Sequence, residues 1–241
     1  MLDNGGTMLL QIALHDAWQI GWSEYQGHNA RPEMARKHAT IPAAVPGDVH
    51  LDLMAAGMLP ELYADMNLDH ALWMEHKDWW YRTEFTLADV PDLRNALLVF
   101  HGLDNFATVW LNGREVGKTA NMFIRHEFAV GSLLQAGKNE LVVRLAAPQH
   151  EIRVDPSHSP TTWSPERLFC RKAQMSFGWD IAPRLVTIGI WRPVELVIPD
   201  QARITDVQVE PTAFVERDAH IQVRVKIEGT ADAAGTAKLA G

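Results

Sequence analysis

Ala107-Thr108-Val109-Trp110-Leu111-Asn112-Gly113-Arg114-Glu115-Val116-Gly117 is the stretch whose reading decides the fold. Residues 107 to 111 are mostly β-branched, aromatic or small, which suits a half-buried pleated surface. Asn112-Gly113 supplies two residues that tolerate positive φ, the strongest short-range signal for a hairpin turn. Arg114 to Gly117 then opens the return strand.

Working outward, Trp79-Trp80-Tyr81-Arg82-Thr83-Glu84-Phe85 alternates, and Leu97-Leu98-Val99-Phe100 is a short apolar run that reads as a buried strand. Further strands are predicted at Ile124–Val130 and, after the turn Gly137-Lys138-Asn139, at Glu140–Leu145. Short strands at this spacing predict an all-β jelly-roll β-sandwich, in which two sheets fold together and manage their edges. Adjacent residues of a strand point to opposite faces, so one of Trp79 and Trp80 is expected in the core and the other in a supporting layer.

Towards the amino end, Met8–Trp22 reads as two short strands broken at His15-Asp16. The polar segment Glu24–Thr40 reads as loop. Asp48 can cap a helix whose apolar positions Leu51, Met54, Ala55 and Met58 follow helical spacing and which Gly57 and Pro60 end. This is the one short helix expected. Beyond the hairpin, Pro148–Arg184 is a long interval carrying Pro156, Pro160, Pro165 and Pro183, and a stretch of that length inside a compact domain is usually functional. A strand at Ile190–Ile198 closes the sandwich, placing the first domain at residues 1–199. Pro199-Asp200 reads as a linker. Residues 200–241 read as the beginning of an incomplete immunoglobulin-like sandwich, with strands at Ala202–Val209 and His220–Ile227 and a loop at Gly229–Gly235. Two or three strands cannot bury both faces of a sandwich, so apolar strand edges are expected to be exposed there.

Composition bounds the partners. The chain of 241 residues is 47% apolar and carries a net charge of −8, which argues against nucleic acid, since phosphate binding rests on clustered Lys and Arg. Cys170 is the single cysteine, so no internal disulfide is possible, and it reads as a small buried hydrophobe. His50, His101, His126, His150 and His158 show no paired ligand spacing, so no metal is expected and surface or capping roles are assigned. The amino-terminal residues lack a basic leader region, and Met8–Leu14 is too short to span a bilayer; a cytoplasmic protein with no membrane partner is expected.

The stretch Phe169–Leu196 concentrates the remaining chemistry. Phe177-Gly178-Trp179-Asp180 sets an aromatic ring and a carboxylate beside a glycine turn. A ring packs on the apolar face of a sugar and a carboxylate accepts hydrogen bonds from its hydroxyls. From spacing alone, a buried Trp and a turn-forming Asp fit these positions as well.

Val45-Pro46-Gly47-Asp48-Val49-His50, Asp78-Trp79-Trp80-Tyr81-Arg82, Gly102-Leu103-Asp104, Val109-Trp110-Leu111-Asn112-Gly113, Arg171-Lys172-Ala173-Gln174, Phe177-Gly178-Trp179-Asp180 and Gly189-Ile190-Trp191-Arg192-Pro193 occur in this order. With them the sequence resembles the N-terminal part of the β-mannosidases of glycoside hydrolase family 2. The resemblance implies a galactose-binding-like jelly roll, then an immunoglobulin-like sandwich, then a (β/α)₈ barrel that holds both catalytic carboxylates. No catalytic residue is therefore assigned here, and no cofactor is expected. Trp179 and Asp180 are implied as substrate contacts to a mannoside oligosaccharide. Where the family typically continues Trp-Gly-Pro, this chain has Ile181-Ala182-Pro183, which puts the packing of that loop in question.

The implied function is the substrate-recognising part of a retaining exo-β-mannosidase that hydrolyses terminal β-D-mannose residues, inactive without its barrel. A stand-alone carbohydrate-binding module and another family 2 specificity, β-galactosidase or β-glucuronidase, are the rivals. Asn139-Glu140 imitates the family's acid/base pair, yet it enters an apolar strand from a turn and reads as an ordinary surface Glu. Arg171 and Lys172 have three readings, bracing the loop, pairing with acidic groups of the barrel, or a solvated face, of which the solvated face is the default.

Overall fold

The computed structural model describes residues 9–87, 92–158, 163–199, 202–216 and 218–229. Strands β1 (Leu9–Ala13) and β2 (Gln19–Glu24) come first, then helix α1 (Glu33–His38), strand β3 (Ile41–Pro42) and helix α2 (Val49–Ala55). Strands β4 (Lys77–Leu87), β5 (Leu97–Phe100), β6 (Phe106–Leu111), β7 (Arg114–Ala120), β8 (His126–Ala129) and β9 (Gly137–Leu145) follow. Helix α3 (Pro148–Glu151), strand β10 (Val194–Pro199) and the long strands β11 (Ala202–Val215) and β12 (Asp218–Gly229) complete the order.

Two sheets make the β-sandwich: six strands in the order β3-β2-β4-β9-β6-β7, and four in the order β1-β10-β5-β8. The Asn-Gly hairpin is present. Asn112 and Gly113 adopt φ of 50° and 80°, positive at both central residues as a type I′ turn requires. The Asn112 amide donates to Leu133 O and Asn139 Oδ1, both at 2.8 Å, while its Oδ1 accepts from Glu140 N. The turn thereby locks β6 onto β9 as well as β7.

The two tryptophans of β4 point to opposite faces, as expected, and both are fully buried, at 0% exposure each. Trp80 packs with Ala30, Ala35, Trp110 and Val142 beneath α1. Trp79 packs on the opposite face against Trp22 and Trp73, its indole donating to Met74 O at 3.1 Å. The sheet is covered on both sides, so alternation carries no polar face here. Gly21, paired with Trp80, is required by that covering: a Cβ there would lie 1.7 Å from His38 O at the end of α1.

Helix α2 starts where expected, with Asp48 Oδ1 accepting from His50 N at 2.8 Å. It is not alone, however. The segment read as loop contains α1, and α3 is a further turn of helix. Six residues with no side-chain cap are too few to display a helical period, and α1 is held by packing on the sheet. The closing strand is shorter than Ile190–Ile198, beginning only at Val194, because Pro193 lacks the N–H that a ladder needs. Residues 188–190 instead accept hydrogen bonds from Gly47 N and Val49 N and pair Gly189 with Asp104.

The chain divides into two compact units, Ile12–Leu196 and a second comprising Met1–Gln11 with Val197–Gly241. In the second, β11 and β12 form an antiparallel ladder from Ala202↔Gly229 to Val215↔Asp218. Ile204, Val209, Phe214, Ile221 and Ile227 are exposed on it. Asp200 of the expected linker and residues 230–235 of the expected loop lie outside the described residues. Among the described residues no helix is long and apolar enough to cross a membrane.

Candidate functional site

Between α3 and β10 the chain forms irregular backbone braced by side chains. Phe177 is buried, and Gly178 adopts φ of 94°, a conformation open to glycine at no steric cost. This reverses the chain, so that the next two residues turn outward. Trp179 is 47% exposed and Asp180 is exposed beside it. Trp179 N donates to Ala182 O at 2.8 Å, and Leu185 N to Ser176 O at 3.0 Å, closing the loop at two levels. The Ile181-Ala182 departure therefore leaves the loop closed, with Ile181 projecting into solvent at 97% exposure.

Arg184 holds this loop to its surroundings. Its Nη1 donates to Glu166 Oε1 at 2.8 Å and to Phe177 O at 3.3 Å, and its Nε to both carboxylate oxygens of Glu75 at 3.2 Å. Glu75 and Glu166 are thus tied up in ion pairs. Asp180, by contrast, makes no hydrogen bond or ion pair among the described residues, so its carboxylate is free to accept from a ligand. The loop sets an exposed ring beside an unengaged carboxylate, and among the described residues it offers no pair of free carboxylates of the kind a retaining glycosidase sets ~5–5.5 Å apart.

Lys172 is not on the solvated face that is its default reading; at 2% exposure it braces the loop, the alternative reading. Its Nζ lies 2.5 Å from both oxygens of Asp104 and 2.5 Å from Thr187 O. Burial pushes the Asp104 carboxyl up, against the pull of Lys172 and Thr187. Sequence patterning carries no trace of this pair, because its members lie 68 positions apart. Arg171 itself is exposed, its carbonyl accepting from Met122 N at 3.0 Å.

The other candidates resolve into structural roles. Glu140 is half buried rather than an ordinary surface residue, since Arg36 and Arg82 both donate to it. The hydrogen bond from Arg36 is foremost in holding its carboxyl below the usual range. Cys170 is half-buried, which corrects the fully buried position expected of it, and desolvation pushes its thiol up to about 11, away from the reactive thiolate. His50 is buried, its Nδ1 2.6 Å from Asp48 Oδ1, which corrects the surface role given to it. Among the described residues no cluster of three His, Cys, Asp or Glu could hold a metal ion. A cavity of about 350 Å³ lies apart from the loop, lined by Tyr25, Arg31, Trp110, Lys118 and Arg144 among others. Arg144 at its wall is already paired with buried Asp78 at 2.7 Å.

The glycosyl hydrolase 2 galactose-binding-domain-like family profile matches residues 6–192. This chain belongs to glycoside hydrolase family 2. The family 2 chain is 36% identical over 214 residues to β-mannosidase B of Thermothelomyces thermophilus, an alignment covering 80% of this chain and 25% of the relative. It is 33% identical over 180 residues to β-mannosidase A of Aspergillus aculeatus, covering 70% and 19% respectively. Among solved structures, the β-D-mannosidase of Dictyoglomus thermophilum superposes with a TM-score of 0.77 at 36% identity, over 91% of this chain and 26% of that one. A β-glucuronidase from an uncultured Clostridium shares the fold at a TM-score of 0.57, with 18% identity over 95% of this chain and 35% of its own. The chain thus spans about a quarter of the length of the β-mannosidases it matches.

Proposed function

We propose that this family 2 chain is the substrate-recognising N-terminal part of a retaining exo-β-mannosidase that releases terminal β-D-mannose. Trp179 walls the sugar pocket, and Asp180 accepts hydrogen bonds from mannose hydroxyls. Both catalytic carboxylates belong to a barrel that follows in the complete enzyme. The single observation that carries the reading is the exposed Trp179 ring beside the unengaged carboxylate of Asp180 on a braced loop, in a chain 36% identical to a β-mannosidase. The more distant β-glucuronidase likeness supports the fold alone. Within the same proposal, the sandwich domain ends near residue 199 and residues from about 200 open the next domain.

The test compares the complete enzyme encoded by this reading frame with the 241-residue chain, on aryl β-mannoside, β-galactoside and β-glucuronide. The complete enzyme is expected to turn over the mannoside alone, and the chain to turn over none. Preference for either other glycoside overturns the specificity, and turnover by the chain overturns the division of labour.

A further inference from the structure

We propose that Arg167 completes the saccharide wall, clamping the Trp179 ring in place and presenting a donor nitrogen beside it to a sugar hydroxyl. This rests on the reading of Trp179 and Asp180 as saccharide contacts.

Arg167 lies on a 3-10 turn, Pro165–Leu168, next to the glycine-turned loop. Its Cζ is 4.6 Å from the centroid of Trp163 and 4.6 Å from that of Trp179. The two indoles are 6.1 Å apart and tilted by 56°, so the guanidinium sits against both. A cation against an aromatic face is attracted by the ring quadrupole, most strongly for Trp. The neighbouring carboxylate that could have neutralised Arg167 does not. Glu166 donates its charge to the Arg184 pair instead.

Nε and Nη1 of Arg167 are shut away from solvent with no hydrogen-bond partner. Buried donors left unpaired are costly, so an ordinary surface Arg would turn them to water. Here they stay under the rings, and the geometry is explained by what it does for Trp179. That side chain is 47% exposed on a turn, and the clamp restrains a ring that would otherwise sample several rotamers. Nη2 is not shut away with them and has no hydrogen bond among the described residues, which leaves it open at the edge of the same stack. The wall then offers three complementary features to a pyranoside: an apolar face from Trp179, an acceptor from Asp180 and a charged donor from Arg167.

The experiment uses the whole 241-residue chain. In proton–nitrogen spectra of arginine side chains, the Nε–H resonance missing from Arg167→Lys identifies Arg167. It is expected to be shifted upfield by the flanking indoles and to return towards its ordinary position in Trp179→Ala. Saturation-transfer titration with methyl β-D-mannoside then reads binding. Arg167→Met is expected to weaken it about tenfold, Arg167→Lys less, and adding Arg167→Met to Trp179→Ala by a smaller factor than in the unsubstituted chain, since only the donor contact is then left to lose. An Nε–H at its ordinary position, or unchanged binding by Arg167→Met, overturns the inference. If Trp179→Ala and Asp180→Asn abolish binding while Arg167→Met leaves it unchanged, Arg167 alone is misassigned. If those two variants also bind normally, or the unsubstituted chain shows no saturation transfer, the underlying saccharide reading falls as well.

Discussion

Lys172 and Asp104 form a buried ion pair, with Nζ 2.5 Å from each carboxylate oxygen, that ties the Phe169–Leu196 stretch to the loop preceding β6. Thr187 joins them, its hydroxyl donating to Asp104 Oδ2 at 2.7 Å. Asp104 also pairs its backbone with Gly189. Three separated parts of the chain therefore meet at one pair of charges beneath the irregular backbone that carries Trp179.

Removing one partner of such a pair leaves the other charge buried. Lys172→Met is expected to cost roughly 3–5 kcal/mol in urea denaturation. Adding Asp104→Leu should recover most of that loss, because the pair's own net contribution is small once desolvation is counted. A loss below about 1 kcal/mol for Lys172→Met would mark the pair as effectively solvated.

Trp179 and Asp180 should separate recognition from stability. Asp180 makes no hydrogen bond or ion pair among the described residues, so Asp180→Asn is expected to shift unfolding by no more than about 0.5 kcal/mol, and Trp179→Ala, which loses the Arg167 and Trp163 contacts, by about 1–2 kcal/mol. In the complete enzyme, Asp180→Asn should lower kcat/KM on an aryl β-mannoside by roughly ten- to a hundredfold, the worth of a charged hydrogen bond. A large drop in Tm with unaltered kinetics would assign the pair to folding.

Gly21 is expected to tolerate no side chain. A methyl group would meet His38 O at 1.7 Å, so α1 and the sheet must move apart. Gly21→Ala should destabilise by about 1–3 kcal/mol. A crystal structure of the variant is expected to show α1 displaced from Trp80, and an unmoved α1 with wild-type stability would contradict this contact.

Asp52 sets a pH dependence. Burial raises its carboxyl from 3.8 to about 6, with one oxygen accepting from Ala44 N at 2.9 Å and the other unpartnered. The folded state binds this proton more tightly than the unfolded chain does. The resulting stability is fully present below the unfolded value of roughly 3.9 and is lost as pH rises through the folded one, up to roughly 3 kcal/mol by pH 8. Asp52→Asn retains an acceptor for Ala44 and should flatten this part of the stability profile between pH 4 and 8. An identical slope in both proteins would remove Asp52 as its source.

The legible features were those whose cause is local. Asn112-Gly113 announces its turn because two adjacent residues must take positive φ, and Asp48 announces α2 because a cap acts within two residues. Helix α1 did not show, since six residues carry little periodicity and Ala35 is buried only because Trp80 lies beneath it. Trp179 and Asp180 were legible as residue types suited to a sugar. Their exposure, and the stack of Trp163, Arg167 and Trp179, were not, because these contacts follow from how the loop turns at Gly178.

The sequence by itself determined the sandwich, the hairpin turn and membership of family 2, because alternation, turn chemistry and ordered motifs act along the chain. Only the tertiary structure decided which charges are spent inside. Lys172 and Arg171 are neighbours of similar charge, yet one is buried against Asp104 and the other faces solvent. Burial is a property of what the rest of the chain brings alongside, and a partner 68 residues away cannot be read from a local pattern.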